Sequence, residues 1–293
     1  MTIDAPPLLL AAPNVSTGEP SEELVGALAP AQLLDLHSDR DHGRSVLTVA
    51  APQGELAAAL ERLGAAAVRA IDLRRHRGLH PHVGALDVAP VVYPTPADRG
   101  AACAEALTAA ALMGEAGLPV FLYGDLATDP SRRERAALRE GGPVRLRERV
   151  AHGELPPDYG PPALDPATGA VLVTARPPLV AFNVELAGAD VEVARSIAAR
   201  LRESGGGPPG VRAIGLYLEE RGCAQVSMNV HDPAGTPLAT LVGAIAAEAE
   251  VAAAEIVGLV PRAALADFPD GVPIRGFDPE RQVLENALGS VRG

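Results

Sequence analysis

Hydrophobic and polar positions follow two rhythms along this chain. Short apolar or alternating runs of four to eight residues mark strands. Longer Ala-rich stretches, with apolar residues three and four apart, mark helices. From the amino end, a strand run at 7–12 leads into a helical segment near 20–28. Strand runs at 32–37 and 45–50, a helix at 55–70 and a strand run at 88–93 follow. The order is βαββαβ. A further helix at 97–114, a strand at 120–123 and a long loop come next, and then the same order recurs at 179–186, 191–202, 211–218, 224–230, 237–251 and 255–260. This alternation predicts an α/β (α+β) chain of two βαββαβ ferredoxin-like lobes, residues 1–176 and 177–293, with mixed sheets packed around an inter-lobe cleft. One large mixed sheet without an internal repeat is the competing reading.

Gly and Pro remove helix and ladder options together, which makes 153–169, 205–210 and 267–278 loops. The first is 17 residues long, rich in Pro, Gly and Asp, and lies ahead of the second repeat. A loop of that length is either functional or a linker.

Composition narrows the function classes. With 25 Lys and Arg against 37 Asp and Glu, the formal charge of −12 repels a phosphate backbone and an anionic leaflet, so nucleic acid and membrane are not expected as partners. Aromatics are 3% of residues and Trp is absent, which leaves little for base stacking. Cys103 and Cys223 lack CxxC spacing and fit a reducing cytoplasm better than a disulfide framework. The opening Met1, Thr2, Ile3, Asp4 carries no basic leader, and no uncharged apolar stretch reaches membrane-spanning length.

Five of seven histidines fall between positions 37 and 82: His37, His42, His76, His80 and His82. Imidazole titrates nearest neutrality, so one ring can both take and give a proton within a turnover. Three readings stand for His76, His80 and His82. As metal ligands they would want a shared helical face, which Gly78 and Pro81 interrupt. As solvated loop residues they would do nothing. As one catalytic His beside Arg74, Arg75 and Arg77 they would serve a carboxylate-bearing substrate. A second cluster, Asp39, Asp41, His42 and Arg44, sits between two strand runs, either as a plain polar turn or as carboxylates that orient an imidazole. Ser131, Arg132 and Arg133 follow Pro130, as a helix cap with a wet face or as an anion site. No GxSxG, GxGxxG or GxxxxGK[ST] occurs.

The string Ile71-Asp72-Leu73-Arg74-Arg75-His76-Arg77-Gly78-Leu79-His80-Pro81-His82-Val83-Gly84-Ala85-Leu86-Asp87-Val88 resembles the segment around the active-site histidine of glutamate formimidoyltransferases. Other stretches from end to end resemble the same family: Pro13-Asn14-Val15-Ser16, the 33–44 segment, Pro119-Val120-Phe121-Leu122-Tyr123-Gly124, Ser131-Arg132-Arg133, Asp158-Tyr159-Gly160-Pro161, Leu179-Val180-Ala181-Phe182-Asn183, Gln225-Val226-Ser227-Met228-Asn229 and Ile256-Val257-Gly258-Leu259-Val260-Pro261.

The resemblance implies transfer of a formimino group from N-formimino-L-glutamate to N5 of tetrahydrofolate, in histidine degradation, by a cytoplasmic homodimer without a metal and without the cyclodeaminase module. It places the catalytic histidine at His80. It places folate binding on Gly160, Pro161, Pro162, Ala163, Leu164, Asp165, Pro166, Ala167, Thr168 and Gly169, inside the loop already marked by composition. Asp39, Asp41, Arg44, Arg74, Arg75, Arg132 and Arg176 are candidates for supporting the imidazole or pairing substrate carboxylates, since a planar guanidinium binds a carboxylate bidentately. Three positions depart from the family pattern: His37 and Leu79 where acidic residues are usual, and Gly43 where an Asn is usual. These leave open a different donor, such as formylglutamate or formiminoglycine, or a folate-binding homologue without turnover.

Overall fold

The computed structural model describes residues 6–292. Positions 1–5, on which the reading of the amino terminus falls, and position 293 lie outside the described residues. The chain divides into two compact units, residues 1–177 and 178–293.

The first unit runs β1 (Leu8–Ala11), β2 (Asn14–Val15), α1 (Glu22–Gly26), β3 (Gln32–Asp39), β4 (Arg44–Pro52), α2 (Leu56–Ala70), β5 (Leu86–Val92), α3 (Arg99–Glu115), β6 (Val120–Leu122), α4 (Arg135–Arg139), α5 (Gly142–Ala151) and β7 (Val171–Arg176). Its first strand is broken into β1 and β2, which lie side by side in line between β4 and β5 and pair antiparallel with both. The hairpin partner β3 borders β4 on the far side. Beyond β5 the sheet continues with β7 and then β6, both joined in parallel, so it is mixed. A βαββαβ half has thus been extended by two strands. The sequence pattern marked β6 and a helix start after Pro130 but did not mark β7. The strand β7 follows the Pro- and Gly-rich loop directly and ends at Arg176-Pro177, so only six residues stand between two breakers.

One face of this sheet carries the apolar core. Leu56, Leu60, Leu63 and Ala67 of α2 recur at helical spacing and are fully buried with Ala102, Ala106, Ala109 and Met113 of α3. The start of α2 lacks a cap of its own. The buried carboxylate of Glu105 supplies it from α3, accepting the Gly54 N–H (2.8 Å) and the Ala57 N–H (2.7 Å). The opposite face is only partly apolar. Leu138 of α4 and Leu146 and Val150 of α5 pack with Val88, Phe121 and Leu172. Elsewhere on that face, strand alternation sets polar residues: Asp35, His37 and Asp39 on β3 opposite Thr48, Val46 and Arg44 on β4, and Thr174 and Arg176 on β7; an irregularity at the start of β5 lets Asp87 meet Arg139 of α4.

The second unit runs β8 (Val180–Leu186), α6 (Val191–Leu201), β9 (Val211–Leu218), β10 (Cys223–Val230), α7 (Leu238–Ala246), β11 (Val251–Val257), α8 (Pro279–Gln282) and α9 (Leu284–Arg292). Its sheet order is β11-β8-β10-β9. Each helical crossover joins two strands running the same way, with a third strand inserted between them, so every neighbouring pair is antiparallel. The expectation of a mixed sheet therefore holds for the first unit and is corrected for the second, to which no parallel strand is appended. The boundary between α7 and β11 also differs from the pattern. The helix ends at Ala246 and the strand begins at Val251, because the Ala253–Ala254 segment pairs with Glu185 and Val184 of β8 in spite of its helix propensity. Among the described residues, no helix is long and apolar enough to cross a membrane.

Candidate active site

Two loops of the first unit meet because two glycines let them. The turn joining β3 to β4 is closed by the Asp39 carboxylate, which accepts the His42 N–H (2.7 Å), and by Gly43 in the left-handed region at φ 60°. A Cβ on Gly43 would lie 2.5 Å from the Gly78 Cα, and one on Gly78 would lie 2.3 Å from the His42 carbonyl oxygen. With no side chain at either position the turn nests against the His76–His82 loop. Two backbone bonds fasten it, Leu79 N–H to the Asp41 carbonyl (3.0 Å) and His80 N–H to the His42 carbonyl (3.3 Å).

That docking sets the His80 ring. Its Nδ1 lies 2.8 Å from the Pro81 carbonyl, which can only accept, so Nδ1 carries the proton and Nε2 the lone pair. Nη1 of Arg44 lies 3.0 Å from Nδ1 and close to Nε2, so the guanidinium sits against the ring. The imidazole pKa is held well below its ordinary value, first by burial, then by the positive charges of Arg44, Arg139 and Arg135 and by His42. At neutral pH this ring is uncharged and a guanidinium lies against it. The His42 ring lies 6.0 Å away, centroid to centroid. His76 has a different role. Its Nδ1 lies 3.1 Å from the Ser16 carbonyl, its ring stacks edge-on against His82 at 4.2 Å, and burial lowers its pKa.

Around His80 gathers a group of arginines that outnumbers the acids. Arg44 opens β4. Its Nε is sealed from solvent without a hydrogen-bond partner, and burial, with Arg139 next in size, draws its pKa down to about 9. It remains a cation at neutral pH. Arg139, at the end of α4, pairs with the buried Asp87, whose other oxygen accepts the Val83 N–H (2.8 Å). The Arg139 Nε is likewise buried and unpartnered, and burial holds its pKa near 10. Arg176 ends β7 and donates to the Pro177 carbonyl (2.9 Å), and burial holds its pKa at about 10 too. Arg135 lies close enough to lower the pKa of all three and that of His80. Buried donors of one sign with orphaned N–H groups form a receptor for an anion.

The 160–169 stretch borders the same loop. The Leu73 N–H donates to the Ala167 carbonyl (2.8 Å), the Ala85 N–H to the Thr168 carbonyl (2.9 Å), and Gly84 bridges Gly169. Asp165 turns the strand of chain by accepting the Ala167 N–H (2.7 Å). Gly160 and Gly169 have positive φ and approach the Leu118 and Val83 carbonyls so closely that a Cβ would sit 2.2 and 2.0 Å from them. Leu164 is anchored in the core beside Leu155, whereas Pro162, Ala163, Asp165 and Pro166 are exposed.

Of the arginines put forward for supporting the imidazole or pairing substrate carboxylates, Arg44 and Arg176 fall in the cationic group and three fall outside it. Arg74 folds back on Asp72 (2.7 Å), and Arg75, its side chain 89% exposed, extends into water. Arg132 is spent on structure: it pairs with the buried Asp158 (3.0 Å), which also accepts the Leu122 N–H and the Thr128 hydroxyl and so ties the following loop to β6. Ser131 is not the cap of its turn. Asp129 is, accepting the Ser131 N–H (2.8 Å) and hydroxyl (2.6 Å). Arg135, Arg139 and Asp87 went unmarked in the sequence. Asp87 had a legible signal, a lone acid within Leu86-Asp87-Val88-Ala89, since a charge inside a buried strand needs a partner. Among the described residues no group of three or more His, Cys, Asp and Glu side chains is placed to hold a metal ion.

The comparisons with known proteins point one way. The family model of the formiminotransferase domain, N-terminal subdomain, matches residues 8–176, and that of the formiminotransferase domain matches 181–270. The chain is 37% identical over 290 residues to the glutamate formimidoyltransferase of Streptococcus pyogenes serotype M1, covering 94% of this chain and 97% of that protein. It is 32% identical over 292 residues to the glutamate formimidoyltransferase of Thermoplasma acidophilum, covering 94% and 95%. It is 39% identical over 276 residues to the formimidoyltransferase-cyclodeaminase of Sus scrofa, covering 87% of this chain and 50% of that protein.

Proposed function

Since the chain belongs to the formiminotransferase family, we propose that it transfers the formimino group of N-formimino-L-glutamate to N5 of tetrahydrofolate, with His80 as the proton carrier. N5 attacks the amidine carbon and forms a new N–C bond. The N5 proton passes to Nε2 of His80 and from there to the glutamate nitrogen, whose bond to the same carbon then breaks. The products are 5-formimidoyltetrahydrofolate and L-glutamate, and no oxidant, reductant or further reactant is consumed. One base that becomes an acid within the turnover suffices.

The observation that carries this reading is the state of His80: a neutral ring with its Nδ1 proton committed to the Pro81 carbonyl and Nε2 as its basic atom. The surplus of guanidiniums beside it suits a donor bearing two carboxylates. The 160–169 stretch, adjoining the His80 loop, is assigned to the folate. A homodimer is part of the same proposal, and sedimentation velocity tests it.

The activity test mixes the protein with formiminoglutamate and tetrahydrofolate and follows the folate absorbance together with glutamate release. Stoichiometric appearance of both products is expected. Absence of both at high protein concentration overturns the reading. A parallel reaction with N-formylglutamate reads the effect of Leu79 and His37: faster turnover with that donor would replace the amidine by the formamide as substrate.

A further inference from the structure

The loop that carries His80 is closed at its base by one residue. Ser16 directly follows β2, is buried, and gives all three of its polar groups to the loop. Its carbonyl accepts the Nδ1–H of His76 (3.1 Å), its hydroxyl donates to the Gly84 carbonyl (2.7 Å) and its N–H donates to the Ala85 carbonyl (2.9 Å). His76 and Gly84 stand four residues to either side of His80.

The two limbs are held unequally. Residues 76–83 form neither helix nor strand, so their position depends on individual bonds. The limb after His80 has several. Besides those to Ser16, the Val83 N–H meets Asp87, the Ala170 N–H meets the Val83 carbonyl and the Ala85 N–H meets the Thr168 carbonyl. On the limb before it, the hydrogen bonds of Arg74, Arg75 and Arg77 stay within 72–77. Among the described residues, the His76 Nδ1–H is the one hydrogen-bond donor that ties 74–78 to the rest of the unit.

The His76 ring also reaches the tip of the loop. A Cβ on Gly43 would lie 2.7 Å from its Cε1 and one on Gly78 2.7 Å from its Nε2, so the ring packs against both glycines at which the β3–β4 turn docks. A carbonyl can only accept, so Nδ1 carries the proton. Nε2 keeps the lone pair and is sealed from solvent without a partner among the described residues. A lone pair closed off in this way passes no proton to a substrate, and the ring serves as a strut.

We infer that Ser16 and His76 form a clasp that positions the proton-carrying histidine, with His76 the larger contributor. The inference rests on the reading of His80 as that carrier. The Leu79 and His80 N–H groups fix where the loop touches the turn, the clasp fixes where the loop starts, and together they hold the His80 ring in place. Displacing such a group by about 1 Å costs on the order of 100-fold in rate. Loss of a clasp bond should therefore appear in kcat, while the groups that bind substrate stay where they are.

Leu and Asn have nearly the same size, and at position 76 both lose the ring while only Asn keeps an N–H where Nδ1 stood. His76→Leu should lower kcat about tenfold or more and leave KM for both substrates within about twofold. His76→Asn should exceed His76→Leu in kcat by about fivefold, the usual effect of one recovered hydrogen bond. Ser16→Ala frees a limb that Asp87 and Thr168 still hold, and should lose less than His76→Leu. Hydrogen exchange of the Leu79 and His80 amides, measured without substrate, should quicken in His76→Leu and return towards the wild type in His76→Asn. Equal kcat in the Asn and Leu proteins overturns the clasp. So does a loss confined to KM, and so do Leu79 and His80 amides that exchange in His76→Leu as they do in the wild type. Long-range ¹H–¹⁵N spectra of the histidine-labelled wild type need no variant to fold. They should show His76 as the Nδ1–H tautomer, and an Nε2–H tautomer overturns the clasp as well. Absence of formimino product from the wild type would refute the proposed reaction, and the tautomer and the amide exchange would still decide the clasp.

Discussion

The two units repeat one scaffold and spend their buried charges in opposite ways. Each places a helix-packed apolar face on one side of a βαββαβ sheet and polar side chains on the other. In the second unit the buried acids of the polar face are matched by arginines. The buried Glu185 takes Arg221 (2.6 Å) and Arg275 (2.7 Å), and the buried Glu255 takes Arg221 (3.0 Å) and the Asn183 amide (2.9 Å). In the first unit the buried Asp87 pairs with Arg139, while Arg44, Arg135 and Arg176 have no carboxylate ion pair among the described residues, and the Nε atoms of Arg44 and Arg139 are left without partners. A buried network that satisfies its own groups is structure, whereas one left short of anions is a binding site that awaits them.

The contrast can be broken most directly at His80. His80→Ala should lower kcat by roughly 10²- to 10⁴-fold in the folate absorbance assay, the usual contribution of a general acid–base group. A rate within a few-fold of the wild type would remove the imidazole from the chemistry and with it the functional meaning of the open arginine group.

The second unit predicts a loss of another kind. Glu185→Gln deprives Arg221 and Arg275 of their shared carboxylate and should destabilise the protein by about 2 to 3 kcal/mol, at or below the lower end of the cost of breaking a buried pair, because both arginines reach solvent. Calorimetric unfolding would show it as a lowered Tm. An unchanged Tm would mean that the Glu185–Glu255 network is as dispensable as a surface pair, and the distinction between a closed and an open set would lapse.

The smallest effect sharpens the edge of the site. Arg75→Ala should change kcat/KM by less than about twofold, since the side chain lies in water next to an acid that Arg74 already holds. A large loss would extend the anion receptor to the outer rim of the His loop.

The pH profile discriminates as well. A base whose pKa is depressed stays deprotonated below the ordinary histidine range, so the acid limb of kcat/KM should lie below that range and activity should fall only as pH passes through the lowered value. For stability the sign is the same. The unfolded chain binds the proton first, so the contribution of the neutral ring is complete above the unfolded histidine pKa and is lost as pH falls towards the folded one. An acid limb at or above the ordinary value for free protein and free substrate would count against the buried, cation-flanked ring.

Much was legible in the residues alone. The strand and helix order of the second unit as far as β11 follows from apolar period and from Gly and Pro punctuation, with β9 marked to the residue, whereas α8 and α9 were not marked. The hairpin of β3 and β4, the helix α2 and the singular His80 segment follow from the same local rules and from the distinctive chemistry of imidazole. Where Ala-rich chain became strand in β11, local propensity was overruled by pairing with a strand far away in sequence.

What the sequence determined by itself was the inventory and the local geometry: which side chains can carry a proton or hold an anion, where the backbone must turn left-handed at Gly43, and which runs seek a core. What only the tertiary structure decided was the charge balance. Arginines of one side-chain chemistry divide into Arg132 spent on Asp158, Arg75 in water, Arg139 half engaged by Asp87 and Arg44 resting against the His80 ring. Coulomb interactions and desolvation depend on distances through space between residues remote in the chain, and periodicity carries no trace of those distances.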